Sequence, residues 1–178
     1  MKSKISYVIT ALLAVGVITG CKSTSEKRED LTPKVQEAKA EFLKSDPSLQ
    51  AIFDKAAGYV IFPSIAKGAL GVGAATGTGQ VYEKGKAVGQ AAMTQVTIGF
   101  QAGGQAYSEL ILFEDQTALD NFKKGNAELS AQASAVAVTA GAAANAKYEK
   151  GLMVLTMTKG GLMYEASVGG QKFSYTPY

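Results

Sequence analysis

At Gly58 the chain changes period. Before it, apolar residues recur every three or four positions; after it, they alternate in short runs separated by glycine-rich turns. Glycine makes up 20 of the 178 residues, and many of the twenty sit where a strand would have to end. Short alternating runs joined by tight turns pair antiparallel, because parallel strands need long crossovers. The pattern predicts an α+β fold, mostly antiparallel β. A curled or barrel-like sheet is expected, with two short N-terminal helices and one short helix near 115–125.

Thr32-Pro33 reads as a helix start, an N-cap followed by proline at the first helical position. Val35, Ala38, Phe42 and Leu43 then recur at helical spacing. Asp46-Pro47 repeats the signal, and Leu49, Ile52, Phe53 and Ala56 form a second stripe. Tyr59–Phe62 is a short strand that Pro63 should stop. Ala69–Thr76 alternates small residues with glycine, and Glu83-Lys84-Gly85 is a hairpin turn between Gln80–Tyr82 and Lys86–Val88. Val96, Ile98, Phe100 and Ala102 alternate with polar or small residues, and Gly103-Gly104 turns the chain into a return strand, Gln105–Phe113.

The length of that last turn decides a register. A two-residue loop puts Glu109 on the face of Ile98 and Phe100; a longer loop or a bulge puts Leu110 there. The longer loop is expected, because burying an unpaired carboxylate is costly. Asp115 is an N-cap, Ala118, Leu119 and Phe122 share one face, and Gly125 is the stop. Ser130–Thr139 alternates alanine with Ser and Val and reads as a strand. The end reads as a meander of Leu152–Thr158, Leu162–Val168 and Gln171–Tyr175. A weak internal echo links Gly103-Gly104-Gln105-Ala106-Tyr107-Ser108 to Gly169-Gly170-Gln171-Lys172-Phe173-Ser174.

The chain has no histidine, which excludes Ser-His-Asp and Cys-His catalysis and histidine metal ligation. With one cysteine, zinc and iron–sulfur sites are not expected either. Gly71-Val72-Gly73-Ala74-Ala75-Thr76 lacks the third glycine of a dinucleotide fingerprint, and Gly79 to Lys86 has the wrong spacing for a P-loop. Pairs among Glu109, Glu114 and Glu165, or Ser64 with Lys67, suggest acid–base chemistry only by composition. No enzyme, no cofactor, no metal and no nucleic-acid partner are expected.

The N-terminus carries a different kind of information. Lys2 and Lys4 precede the apolar stretch Ile5 to Ile18, and Ile18-Thr19-Gly20-Cys21 closes it with small residues. Residues 1–20 read as a signal peptide, too short in its apolar part to span a bilayer. Ile-Thr-Gly-Cys is similar to the lipobox of bacterial lipoproteins, in which the cysteine is acylated and the chain is cut before it. Cys21 is therefore the expected lipidation site, with a covalent acyl/diacylglycerol anchor, and residues 22–32 read as a flexible tether. Removing the two leader lysines takes the formal charge from +3 to +1, since residues 1–20 hold no acid. Lys22, rather than Asp, follows the cysteine, and the periplasmic face of the outer membrane is the expected location.

Several blocks, in order, resemble the SYLF domain. They are Gly58-Tyr59-Val60-Ile61-Phe62-Pro63-Ser64-Ile65-Ala66-Lys67-Gly68, Ile98-Gly99-Phe100-Gln101-Ala102-Gly103-Gly104-Gln105 with Tyr107-Ser108-Glu109, Phe113-Glu114-Asp115, Ala131-Gln132-Ala133-Ser134-Ala135, and Thr158-Lys159-Gly160-Gly161-Leu162-Met163-Tyr164-Glu165. The match spans roughly Ala38 to Phe173, within a single domain over 33–178. The resemblance implies phospholipid binding without catalysis. Eukaryotic members of that family bind phosphoinositides, some fungal members bundle actin, and bacterial members are mostly secreted lipoproteins. It makes membrane phospholipids the expected partner, with Lys67 and Lys159, both beside turns in matching blocks, as candidate phosphate contacts. The alternatives are a protein-interaction lipoprotein, and a carrier of small apolar ligands whose cavity is lined by Gly71, Gly73, Ala74 and Ala131–Ala137.

Overall fold

A computed structural model describes residues 24–70, 72–98, 103–125, 134–137, 139–141, 143, 146–158, 166–167 and 170–178. Three helices and eight strands follow in chain order: α1 (Thr24–Ser45), α2 (Leu49–Lys55), β1 (Gly58–Leu70), β2 (Val72–Glu83), β3 (Lys86–Ile98), β4 (Gly103–Phe113), α3 (Gln116–Lys123), β5 (Ser134–Ala137), β6 (Leu152–Thr158), β7 (Ala166–Ser167) and β8 (Gln171–Pro177). Six strands make a continuous antiparallel sheet in the order β6-β4-β1-β2-β3-β8. β5 joins β6 in parallel, with β7 at its other side. The fold is α+β, and the sheet is strongly curled. Phe62 of β1 packs on Phe173 of β8 at 5.9 Å between ring centroids, although β2 and β3 lie between those strands. Among the described residues the two ends of the sheet do not pair, so it is not closed.

Curling gives the sheet an inner and an outer face, and each carries its own core. Inside are Val60, Phe62, Val81, Met93, Ile111, Phe113 and Phe173, capped at one end by Leu119 and Phe122 of α3. Outside, Tyr59, Ile61, Tyr82, Leu110, Leu112 and Leu155 are covered by Val35, Ala38 and Phe42 of α1 and by Leu49 and Phe53 of α2. The period before Gly58 thus serves the outer face, and the alternation after it divides residues between the two.

Four expectations need correction. Helix α1 begins at Thr24, not at Thr32, so Pro33 sits inside a 22-residue helix and residues 24–32 are helical rather than a slack tether. Leu31, buried against the outer core with Val35 one turn later, gives that early part of the helix something to hold. Pro63 does not stop β1. The pairing of Phe62 with Glu109 and of Ile65 with Tyr107 sets three steps on β1 against two on β4, a bulge that absorbs the proline. Ser108 Oγ donates to the Pro63 carbonyl at 2.9 Å and pins the bulge.

β3 and β4 are not a hairpin: β3 pairs with β2 and β8, whereas β4 pairs with β1 and β6. The C-terminal strands are not a meander either, since β6 lies beside β4, β7 beside β5 and β8 beside β3. Expected features that hold include the Lys84-Gly85 turn, with φ of 50° and 75°, and the cap of α3, where Asp115 accepts from the Ala118 amide at 2.8 Å. Ser134–Ala137 is a strand, as its alternation predicts.

Close packing of β2 against β1 requires glycine at 79. A Cβ there would lie 2.7 Å from the Ile61 carbonyl oxygen and 2.8 Å from the Phe62 ring. Gly79→Ala is expected to destabilise the fold by roughly 1–3 kcal/mol, the range for overpacking a tight interior. Urea unfolding of the two proteins checks this, and an unchanged midpoint would show that β1 and β2 can separate without loss.

Candidate functional site

The end of the curled sheet opposite α3 is built differently from the rest. Below it the inner face is aromatic and aliphatic; at it the inner positions turn polar. Register carries this directly. Glu109 on β4 stands beside Thr156 on β6, Ala75 on β2 beside Gln95 on β3, and Gln95 beside Gln171 on β8. Residues paired this way share a face, so one inner layer holds Tyr107, Glu109, Thr156, Gln95 and Gln171. All five are buried.

Glu109 lies at the centre of this layer. Both faces of β4 are covered from Tyr107 to Phe113, so Leu110 points to the outer core and Glu109 to the inner one. The expectation that only one of the two could be buried was wrong for that reason. Gln171 Nε2 donates to Glu109 Oε2 at 2.9 Å and approaches the Tyr107 hydroxyl at 3.5 Å, joining β8 to β4 across the interior. Burial pushes the Glu109 carboxyl up to about 7, only partly offset by the hydrogen bond from Gln171. Burial likewise raises the Tyr107 phenol, with the neighbouring Glu109 adding to it.

Lys67 belongs to the same end. It pairs with Gln105 on β4 and with Ala75 on β2, on the inner face and nearer the rim than Tyr107, and it is half-buried. One row along on the outer face, Ala74 pairs with Val96. Val96 is 69% exposed, the largest exposure of any bulky apolar residue described. Around it Ala66, Ala74, Thr76, Ala92 and Thr94 are also exposed, and Lys172 of β8, paired with Thr94, adds an exposed cation beside them. This end of the sheet therefore sets a cation at its inner rim and, outside, a small-residue, apolar-tipped surface edged by Lys172.

Lys159, Cys21 and Glu165 lie outside the described residues, so of the two candidate phosphate contacts Lys67 is the one whose place is given. The carboxylate pair Glu109 and Glu114 is not assembled. Glu114 is exposed beyond the far end of β4, about 17 Å along the chain from Glu109 at strand rise, past the reach of a glycosidase dyad. Ser64 sits exposed in the bulge. Among the described residues no cluster of three or more Cys, Asp or Glu side chains is placed to hold a metal.

Gln171, Thr156 and Gln95 had no mark as site residues in the sequence. The internal echo was the available sign, since it aligns Gln105 with Gln171 and Tyr107 with Phe173. In the fold the two echoing segments are not hairpins but facing walls of the same opening.

A buried carboxyl whose native value lies above its unfolded one binds its proton more tightly when folded. Stability from Glu109 is therefore present below pH 4.5 and is lost as pH rises to about 7, by roughly 3 kcal/mol in total. Glu109→Gln should remove that slope and leave the variant more stable than the parent at pH 8 in low-salt buffer. Urea unfolding at pH 5 and pH 8 measures it, and an unaltered slope would place the titration elsewhere.

The comparisons with known proteins bear on the same segments. Residues 94–176 match a family model described as Las17-binding protein actin regulator, which takes in the polar end of β3, all of β4 and β6, and most of β8. Beta cell expansion factor A of Aeromonas veronii is 29% identical over 154 residues, covering 85% of this chain and 58% of that protein. The chain thus spans a little under three fifths of that relative's length. The family model covers every SYLF-like block except the first, Gly58–Gly68, and the two matches together support a SYLF-domain family protein.

Proposed function

We propose that the chain is a lipid-anchored, non-enzymatic module of the bacterial envelope that binds phospholipid membranes through the open end of its sheet. The observation that carries this reading is the exposed Val96 on an Ala/Thr surface, one row from the rim lysine Lys67 and flanked on β8 by the exposed Lys172. A membrane offers each side its complement. Acyl chains and the glycerol level accept the apolar tip, and phosphate accepts the ammonium. The likeness to a family described as Las17-binding supports a binding role over a catalytic one. The inner face is filled by Phe62, Phe113, Phe122 and Phe173, which favours surface contact over carriage of an apolar ligand inside. Among the described residues no helix is long and apolar enough to cross a membrane.

Co-sedimentation of residues 22–178, without the acyl chains, on anionic and zwitterionic vesicles tests the surface. Val96→Asp should weaken binding about tenfold or more, given roughly 1.5–3 kcal/mol for burying a valine. Lys67→Ala should weaken binding to anionic vesicles by about fivefold, the equivalent of about 1 kcal/mol per surface lysine, and leave zwitterionic vesicles little changed. No binding to either vesicle type would sink the proposal. The anchor is tested apart from it: Cys21→Ser in the whole precursor should abolish labelling by radioactive palmitate and shift the protein from the membrane to the soluble fraction.

A further inference from the structure

The polar layer contains more acceptors than its neighbours satisfy. Glu109 Oε1, Thr156 Oγ1 and Gln171 Oε1 are buried with no hydrogen-bond partner among the described residues. All three are oxygens, and two of them, the carboxylate and the amide carbonyl, only accept. They lie together. Thr156 is the direct cross-strand neighbour of Glu109 on the inner face. Gln171 Oε1 is bonded to the same carbon as the nitrogen that sits 2.9 Å from the other Glu109 oxygen.

The Thr156 hydroxyl carries a proton that either neighbour would accept within hydrogen-bond range, yet it bonds to neither. The three oxygens are thus gathered in one layer and make no hydrogen bond to one another. A proton on Glu109 alone would satisfy at most one of the other two. Natural proteins seldom leave buried acceptors unmet, because each costs its full desolvation. Neighbouring oxygens that accept no hydrogen bond can serve as ligands to a hard cation or an ammonium group. The charge count is one: a single carboxylate with neutral hydroxyl and amide oxygens. Calcium takes six to eight oxygens, commonly from several carboxylates, and this layer does not supply them.

We propose that Glu109, Thr156 and Gln171 form an interior site for a monovalent cation coordinated by oxygen alone, either an alkali metal ion or a primary ammonium group. The Tyr107 hydroxyl, 3.5 Å from Gln171 Nε2, borders the site. The site is separate from the outer surface at Val96, and its failure would leave the membrane proposal standing.

Thermal unfolding of the purified protein at pH 8 tests it, in KCl, NaCl, ethanolamine hydrochloride or tetramethylammonium chloride at equal ionic strength. The melting temperature should be several degrees higher in at least one of the first three than in tetramethylammonium, whose methyl groups leave no N–H to donate. A response to potassium or sodium identifies a metal site, and a response to ethanolamine an ammonium site. Glu109→Gln should abolish the difference. If that variant does not fold, Thr156→Val, which keeps the shape and deletes one oxygen, should reduce it. Equal melting in all four salts, stabilisation by CaCl₂ alone, or the same salt response in the variant that folds would overturn the proposal.

Discussion

β1 has no face to give to water. From Tyr59 to Pro63 every residue is buried, alternately against the inner core and the outer one, and the strand lies near the middle of the six-stranded sheet. A flat sheet with one covering layer cannot meet that demand. The curl answers it on one side by bringing Phe173 of β8 over Phe62. Helices α1 and α2 answer it on the other. The helices are held by more than apolar contact. Lys39 Nζ donates to the Tyr59 hydroxyl at 3.0 Å and lies over the rings of Phe53 and Tyr59, and Tyr59 stacks on Tyr82 at 4.9 Å. Burial lowers the Lys39 ammonium and raises the Tyr59 phenol to about 12, so this polar pair shares the cost of the outer core.

Local structure was legible where the determinant was local. Asp115 and Gly125 bound α3 because a side-chain cap and a left-handed glycine act within a few residues. Lys84-Gly85 was readable for the same reason. Strand partnership was not, because a turn signal says where a strand ends and not which strand it meets. Gly103-Gly104 looked like a hairpin, yet β4 pairs with β1 and β6, and only the curl makes that placement possible. Pro63 looked like a stop because the bulge that admits it depends on Ser108, 45 residues later.

The site shows the same division. Lys67 was picked out by its family block and does lie at the open end. Glu109 was recognised as consequential if it faced inward, but its orientation was argued from a sheet with one buried face. The run Leu110-Ile111-Leu112-Phe113, apolar without alternation, was the sign that β4 is covered on both sides. Gln171 and Thr156 were illegible because their meaning comes from pairings across the molecule. The Gly-Gly-Gln echo recorded that relationship without its geometry.

The bulge at Pro63-Ser64 also acts as a phase shifter for the rest of β1. Up to it, even-numbered residues face inward; beyond it, odd-numbered ones do, which is how Ile65 and Lys67 come to share the inner face with Tyr107. Losing one residue at the bulge would exchange the two sets downstream. Ile65 would turn outward, and the rim charge of Lys67 would move from the inner face to the outer surface around Val96. The position of the inner rim cation is therefore fixed by chain length through the bulge as much as by the identity of Lys67, so that in this segment an insertion or deletion would act as a change of polarity.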